Sequence, residues 1–254
     1  MLDAIVPARF ERFIRIAGRP GQVRVSLEDP VHHFRIELWH DDATITDVRS
    51  ESVRFPFSLC PAAGDQLREL IGVALTDDVS SITRQINARQ QCTHQFDAAL
   101  FGVTAAASKI RKRAYRAVVH NAGGQKAIAI LFRNDTQICR WEVEDGQIQD
   151  GGRFNAIGMG TGFTAWVSRH LNAIDGEAAL ILRRAAFVAL RHAAMSRRSP
   201  APTASARGGC WVQQPGRADA ALRLPIEDFE DRSPERFTRG DDDWLAYSPP
   251  MKKP

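Results

Sequence analysis

The chain changes its hydrophobic period at Cys60, and that change limits its fold more than any single motif. Before it, "RFIRIAG", "VRVSLED", "HFRIELWHD" and "ATITDVRSE" are β-branched and partly alternating, with Gly, Pro or Asp-Asp breaks between them. Period-two alternation buries one face of a strand, so these segments predict an antiparallel meander with one buried face. After it, "CPAAGDQLRELIGVAL" places Ala63, Leu67, Leu70, Ile71 and Leu75 on one helical face, with Pro61 at a permitted first-turn position. "SSITRQINARQ" predicts a shorter helix with serines fit for N-caps. A third helix follows Cys92, where Phe96, Leu100 and Val103 recur at helical spacing.

The pattern then repeats in kind. "AYRAVVH", "KAIAILFRN", "ICRWEVED" and "QIQDG" predict strands, with turn signals at Gly123-Gly124, Asn134-Asp135 and Asp145-Gly146. "GFTAWVSRHL" fits helix or strand, whereas "GEAALILRRAAFVALRHAAM" predicts a helix. The expected class is α+β, an antiparallel meander packed by helices followed by a second strand-then-helix block. The boundary falls between residues 1–110 and 111–254, the second block carrying a flexible loop at 196–209 and packing with the first as one unit. The C-terminal "DDDWLAYSPPMKKP" is expected to order where Trp244 and Tyr247 find a groove.

Composition narrows the function classes. With 44% hydrophobic and 25% charged residues the chain fits a globular protein able to bury a core. It has no apolar run of membrane-spanning length, and "MLDAIVPARFERFIR" lacks a secretory pattern, so a cytoplasmic location without membrane contact is expected. Cys60, Cys92, Cys139 and Cys210 are spaced too widely for a paired zinc pattern or a disulfide framework. Net charge is +4, and the basic clusters at Arg111–Arg113 and Arg197-Arg198 carry no interleaved aromatics, which argues against nucleic acid. Glycine-rich "GMGTGF" does not follow a clear strand, so no nucleotide, flavin or other cofactor is expected.

One stretch does not read as plain scaffold. In "RQQCTHQFDAAL" a thiol, a hydroxyl and an imidazole stand where a helix should begin. Thr93 fits an N-cap, and the positive helix end would favour a Cys92 thiolate. His94 can serve as base, acid or ligand, and Asp97 lies on the same helical side, placed to orient its ring. The same spacing equally fits a capped helix with a buried cysteine and a hydrogen-bonded histidine. Cys60 also opens a helix, so the two helix starts would converge if their helices lie side by side. Arg49 and Arg54 bracket the last strand of the meander and would hold a carboxylate or phenolate. Tyr115 is a candidate phenolate partner. Trp39, Trp141, Trp166 and Trp211 are candidate aromatic walls, each also at home in a core.

The run "ITDVRSESVRFPFSLCPAAGDQLRELIGVAL … QCTHQFDAAL … LRRAAFVA … GGCWVQQP" resembles a bacterial family known as domain of unknown function 2889. The resemblance spans most of residues 10–230 and rests on Cys60, "LIGVAL", Cys92-Thr93-His94 and the Cys210 to Pro215 segment, which includes Trp211 and Gln213. Gln91 and Gln95 depart from the Gly and Leu usual in that family. A weaker likeness of architecture is to iron–sulfur scaffold proteins, but Pro61-Ala62-Ala63 stands where their acidic ligand is expected. The first resemblance implies aromatic-compound degradation, and the sharpest expectation is a lyase that deprotonates a lignin-derived phenolic dimer and releases formaldehyde. The catalytic candidates are then His94, Cys92, Thr93, Asp97 and Tyr115. The substrate-binding ones are Arg49, Arg54, Cys60, Trp141, Trp211 and Gln213, with no metal. The alternative is a metal or iron–sulfur carrier using Cys60, Cys92 and His94. A small molecule is the expected partner, and a homo-oligomer remains open.

Overall fold

The computed structural model describes residues 9–123, 125–195, 209–224, 237 and 240–248. The chain is α+β, and its eight strands pair antiparallel. It divides into two compact units, one of residues 13–113 and 202–254, the other of residues 1–12 and 114–201. The break near residue 113 lies close to the change of pattern in the sequence, but residues 202–254 go with the first block, not the second. Most of the expected loop at 196–209 lies outside the described residues.

In the first unit β1 (Arg9–Arg19), β2 (Gln22–Glu28), β3 (His33–His40) and β4 (Ile45–Arg54) form the meander. Register pairs Val25 with Ile16 on one side and Ile36 on the other, so one face is a continuous apolar layer that includes Leu27, Phe34 and Leu38. Onto the middle strands packs α2 (Thr93–Ala107), whose residues are buried nearly all round, as expected of a helix apolar on every side. Phe96, Leu100, Phe101 and Val103 are each almost fully enclosed, worth roughly 1.5–3 kcal/mol apiece against exposure. Gly102 permits this approach, because a Cβ there would stand 2.4 Å from Leu38 Cδ1 and 3.2 Å from Val25 Cγ2.

The segment after Cys60 is a 3-10 helix over Pro61–Leu70, burying Ala63, Leu67 and Leu70. It is shorter than the spacing predicts. Gly72 takes a left-handed φ of 85°, the chain turns away, and Ile71 is left exposed. Then come α1 (Val79–Gln85), capped by the Asp78 carboxylate and not by a serine, and a short 3-10 turn at Ala88–Gln90.

The opposite face of this meander is polar, and residues 240–248 lie on it. Asp241, almost fully buried, accepts hydrogen bonds from Ser26 and from Arg35 Nε at 2.6 Å, and sits 2.8 Å from His33 Nε2. Trp244 faces the guanidinium groups of Arg24 and Arg35, and Tyr247 those of Arg19 and Arg24. Trp244 and Tyr247 thus order against an arginine-rich sheet face and not in a groove.

The second unit holds β5 (Lys112–Gly123), β6 (Lys126–Arg133), β7 (Thr136–Glu144) and β8 (Gln147–Asp150). Its hairpin turns use the predicted residues: Asn134 and Asp135, then Asp145 and Gly146, all have positive φ, as tight two-residue turns require. Gly124 lies outside the described residues. The ambiguous "GFTAWVSRHL" contains a helix, α3 (Phe163–His170), followed by α4 (Ala173–Met195). Trp141 is fully buried among Phe154 and Phe163, and the Tyr115 hydroxyl donates to Glu177 at 2.7 Å.

Candidate active site

The site forms where the β2–β3 turn meets the start of α2. The turn is "DPVH", residues 29–32, and Asp29 closes it. Its carboxylate Oδ1 accepts the backbone N–H groups of Val31 and His32, both at 2.8 Å, and lies 3.1 Å from His32 Nδ1. Asp29 is fully buried. Arg54, at the end of β4, donates to the Asp29 carbonyl at 2.6 Å and to Glu28 at 3.0 Å, pinning the turn from outside. Strand alternation then separates the two adjacent histidines. His32 shares the face of Phe34 and turns toward α2, while His33 joins Asp241 on the polar face.

From the helix side comes His94. Its ring stacks on that of His32 with centroids 3.8 Å apart and planes inclined by 23°. Thr93 Oγ1 is 3.4 Å from His94 Nδ1. Gln95, fully buried, braces the helix start: it accepts from Ser50 Oγ at 2.7 Å and donates to the Cys60 carbonyl at 3.0 Å. A Cβ on Gly64 would come within 2.9 Å of the Gln95 side-chain oxygen, so the 3-10 helix approaches through a glycine. Gln91 is buried as well, donating to the Gln66 carbonyl and to Glu69, both at 3.2 Å. Gln91 and Gln95 thus tie the helix start to its neighbours.

The cysteines gather here too. Cys92 is the residue before the first turn of α2, and Cys60 precedes the 3-10 helix, so both open helices as the spacing predicts. Residues 209–224 bring the third. The Trp211 N–H donates to the Gln91 carbonyl at 3.0 Å, and the Gln214 side chain to the Arg89 carbonyl at 2.9 Å. This sets Cys210 beside Cys92. The charge distribution differs from the sequence expectation. The Cys92 thiol is pushed well up by the adjacent Cys210 and by burial, and burial pushes Cys60 up to about 12. Cys210 moves the other way, held low chiefly by the Cys92 thiol against the cost of burial, with the N–H groups of Val212 and Thr93 and nearby His32 adding. First-turn N–H groups of α2 thus reach both sulfurs, Gln95 N–H that of Cys92 and Thr93 N–H that of Cys210.

The other candidates are placed plainly. Asp97 is half-buried on the first turns of α2, and the carboxylate on the His32 ring is Asp29. Arg49 is exposed, lying over the Trp39 ring and 3.7 Å from Asp47. Trp211 is half-buried under Arg217, and the Gln213 N–H donates to the Cys210 carbonyl. Tyr115 and Trp141 belong to the second unit, where each packs or bonds internally, and Trp166 stacks on His170. Asp29, His32 and Cys210 were not among the sequence candidates. The signal that could have found the first two is "EDPVHH", an Asp-Pro turn running straight into a histidine pair at a strand start.

Among the described residues two groups bring three donor atoms within 4.8 Å of one another: Asp29, His32 and His94, and Glu28, His33 and Asp241. The second is already occupied by Arg54, Arg35 and Ser26. In the first, two ring planes 3.8 Å apart and inclined by only 23° meet far beyond the metal–nitrogen distance of about 2 Å. One ion cannot lie in both planes until a ring turns. As it stands the group is suited to holding and passing protons.

Residues 15–108 match the family model described as "Protein of unknown function (DUF2889)". The match covers the meander from β1 onward, the Asp29 turn, Cys60 and the whole of α2. No curated protein matches the chain. Among the described residues no helix is long and apolar enough to cross a membrane.

Proposed function

We propose that the protein is an acid–base enzyme acting on a small aromatic substrate without a cofactor, and that His94 and His32 carry the proton transfer. The observation that carries this is the buried series Asp29, His32, His94. A carboxylate fixes one imidazole, which stacks on a second at the mouth of a helix. An imidazole whose ring is fixed by a buried carboxylate is oriented for proton transfer. Arg54 supports the same turn and acts as a positioning residue.

The substrate class rests on the family resemblance: a lignin-type phenolic dimer bearing a hydroxymethyl group. The base removes the hydroxyl proton of that group. Loss of the benzylic oxygen substituent from the substrate's phenolate, as alcohol or water after taking a proton, gives a quinone methide. The carbon–carbon bond then breaks, its electron pair passes into the quinone methide to restore the phenolate, and formaldehyde leaves. The protein is thus proposed as a formaldehyde-releasing lyase. The test incubates the purified full chain with such dimers and measures formaldehyde. His94→Ala is expected to lower turnover by about a hundredfold to ten-thousandfold while the fold persists. Normal turnover by folded His94→Ala protein would show that the histidine is packing, and no formaldehyde from any dimer would end the lyase reading.

A further inference from the structure

The dithiol at the start of α2 has no part in that proton chemistry. Cys210 and Cys92 come from segments far apart in sequence that run antiparallel past each other: Trp211 bonds to Gln91, and Gln214 to Arg89. In that arrangement the residues facing across are Cys92 and Cys210. The Cys210 sulfur is approached by the N–H of Thr93, the first residue of a 15-residue helix, and by the N–H of Val212. Cys210 is half-buried, whereas Cys92 is fully enclosed behind it. None of the four cysteines is joined in a disulfide. Two neighbouring sulfurs at a helix start, the one on the less buried residue taking two backbone N–H groups, are the arrangement of a peroxide-reactive cysteine with its resolving partner.

We propose that Cys210 and Cys92 form a hydroperoxide-oxidised dithiol that closes to a disulfide across the start of α2. The Cys210 thiolate attacks one oxygen of the hydroperoxide, the O–O bond breaks, and the other oxygen leaves as alcohol or water after taking a proton. Cys210 becomes a sulfenic acid. The Cys92 sulfur then attacks the Cys210 sulfur, the S–O bond breaks, and water leaves carrying the Cys92 proton. Two electrons pass from the thiols to the peroxide, and a small thiol reverses the step by exchange. The proposal stands whether or not His94 acts as a base.

The test uses the reduced full chain and one equivalent of hydrogen peroxide, followed by mass spectrometry of intact protein and peptides. The expected product is lighter by two hydrogens and yields a peptide pair joined through Cys92 and Cys210. Cys92→Ser is expected to stop at a sulfenic acid on Cys210 that a dimedone-type probe captures. Brief alkylation of the wild-type protein at mildly acidic pH is expected to label Cys210 at least roughly tenfold faster than Cys60 or Cys139. Because the wild-type chain alone gives a readout, failure of a variant to fold leaves the test intact. A Cys60–Cys210 link, over-oxidation of Cys210 without any disulfide, or first reaction at Cys139 would each overturn the proposal.

Discussion

Replacing Asp29 by Asn and by Ala separates orientation of the histidine from support of the turn. In a fully buried position the carboxylate meets, among others, the N–H groups of Val31 and His32 at 2.8 Å and His32 Nδ1 at 3.1 Å. Asn keeps an oxygen for the two backbone donors and loses the charge. Charge-assisted hydrogen bonds are about twice as strong as neutral ones, so three weakened contacts cost about 1–3 kcal/mol. Ala leaves both backbone donors and the imidazole without this acceptor, at about 1–3 kcal/mol each, or roughly 3–9 kcal/mol in sum. At about 2–4 °C per kcal/mol for a chain of this size, Asn should lower Tm by about 2–12 °C and Ala by roughly two to three times that. The functional effect runs on a different scale. An amide in place of the carboxylate can turn its NH2 toward the ring and so allows the wrong ring orientation. Activity per folded molecule should therefore fall about a hundredfold to ten-thousandfold already in Asp29→Asn. The assay pairs thermal melts with turnover normalised to the folded fraction. If the Asn variant melts lower yet turns over at the wild-type rate per folded molecule, Asp29 is a turn residue and the relay argument fails.

Three further outcomes follow from the packing. In Asp241, burial works to raise the carboxyl, but the bonds from His33, Ser26 and Arg35 outweigh it and hold the group well below the usual carboxylate range. A depressed folded value means that this stabilisation is complete above the unfolded carboxylate pKa of about 4 and is lost as pH falls below it. The Tm gap between wild type and Asp241→Asn should thus be constant from pH 7 to 5 and shrink below about 4; a gap that grows on acidification refutes the sign. Gly102→Ala gains about 1 kcal/mol of helix propensity but drives a methyl to 2.4 Å from the enclosed Leu38 Cδ1, so a net loss of about 1–2 kcal/mol is expected. Combining it with Leu38→Ala should recover part of that loss relative to Leu38→Ala alone, and additive melts would dismiss the contact. Tyr115→Phe removes a buried hydroxyl bond to Glu177 and should cost about 1.5–3 kcal/mol while sparing turnover per folded molecule; a selective loss of turnover would return Tyr115 to the catalytic set.

What could be read in the sequence, and what could not, follows from the range of each signal. The meander of β1 to β4 was legible because alternation is local: Val23, Val25 and Leu27 already mark the buried face of β2. The hairpins of the second unit were legible for the same reason, since positive φ at Asn134 and Asp145 is a demand on the residue itself. Cys60 and His94 stood out because helix starts carry their own residue preferences. Asp29 and His32 were passed over because "EDPVHH" reads first as a break between strands. Which of the two histidines faces α2 depends on strand phase, visible only once His33 is fixed as the first residue of β3.

The part played by Cys210 was hidden for a different reason. A residue before a helix is placed to reach the second or third N–H of the first turn with its own side chain. The first N–H, here on Thr93, points away from it and is open to a group arriving from elsewhere in the chain. Local reasoning therefore gave the helix charge to Cys92, whereas the sulfur that meets the Thr93 N–H is Cys210, from residues 209–224. With the two sulfurs adjacent, they cannot both be charged, because two buried thiolates would repel each other without solvent to screen them. The same contact that raises Cys92 lowers Cys210. The electrostatics of this helix start are thus a tertiary property, fixed by the backbone bond between Trp211 and Gln91.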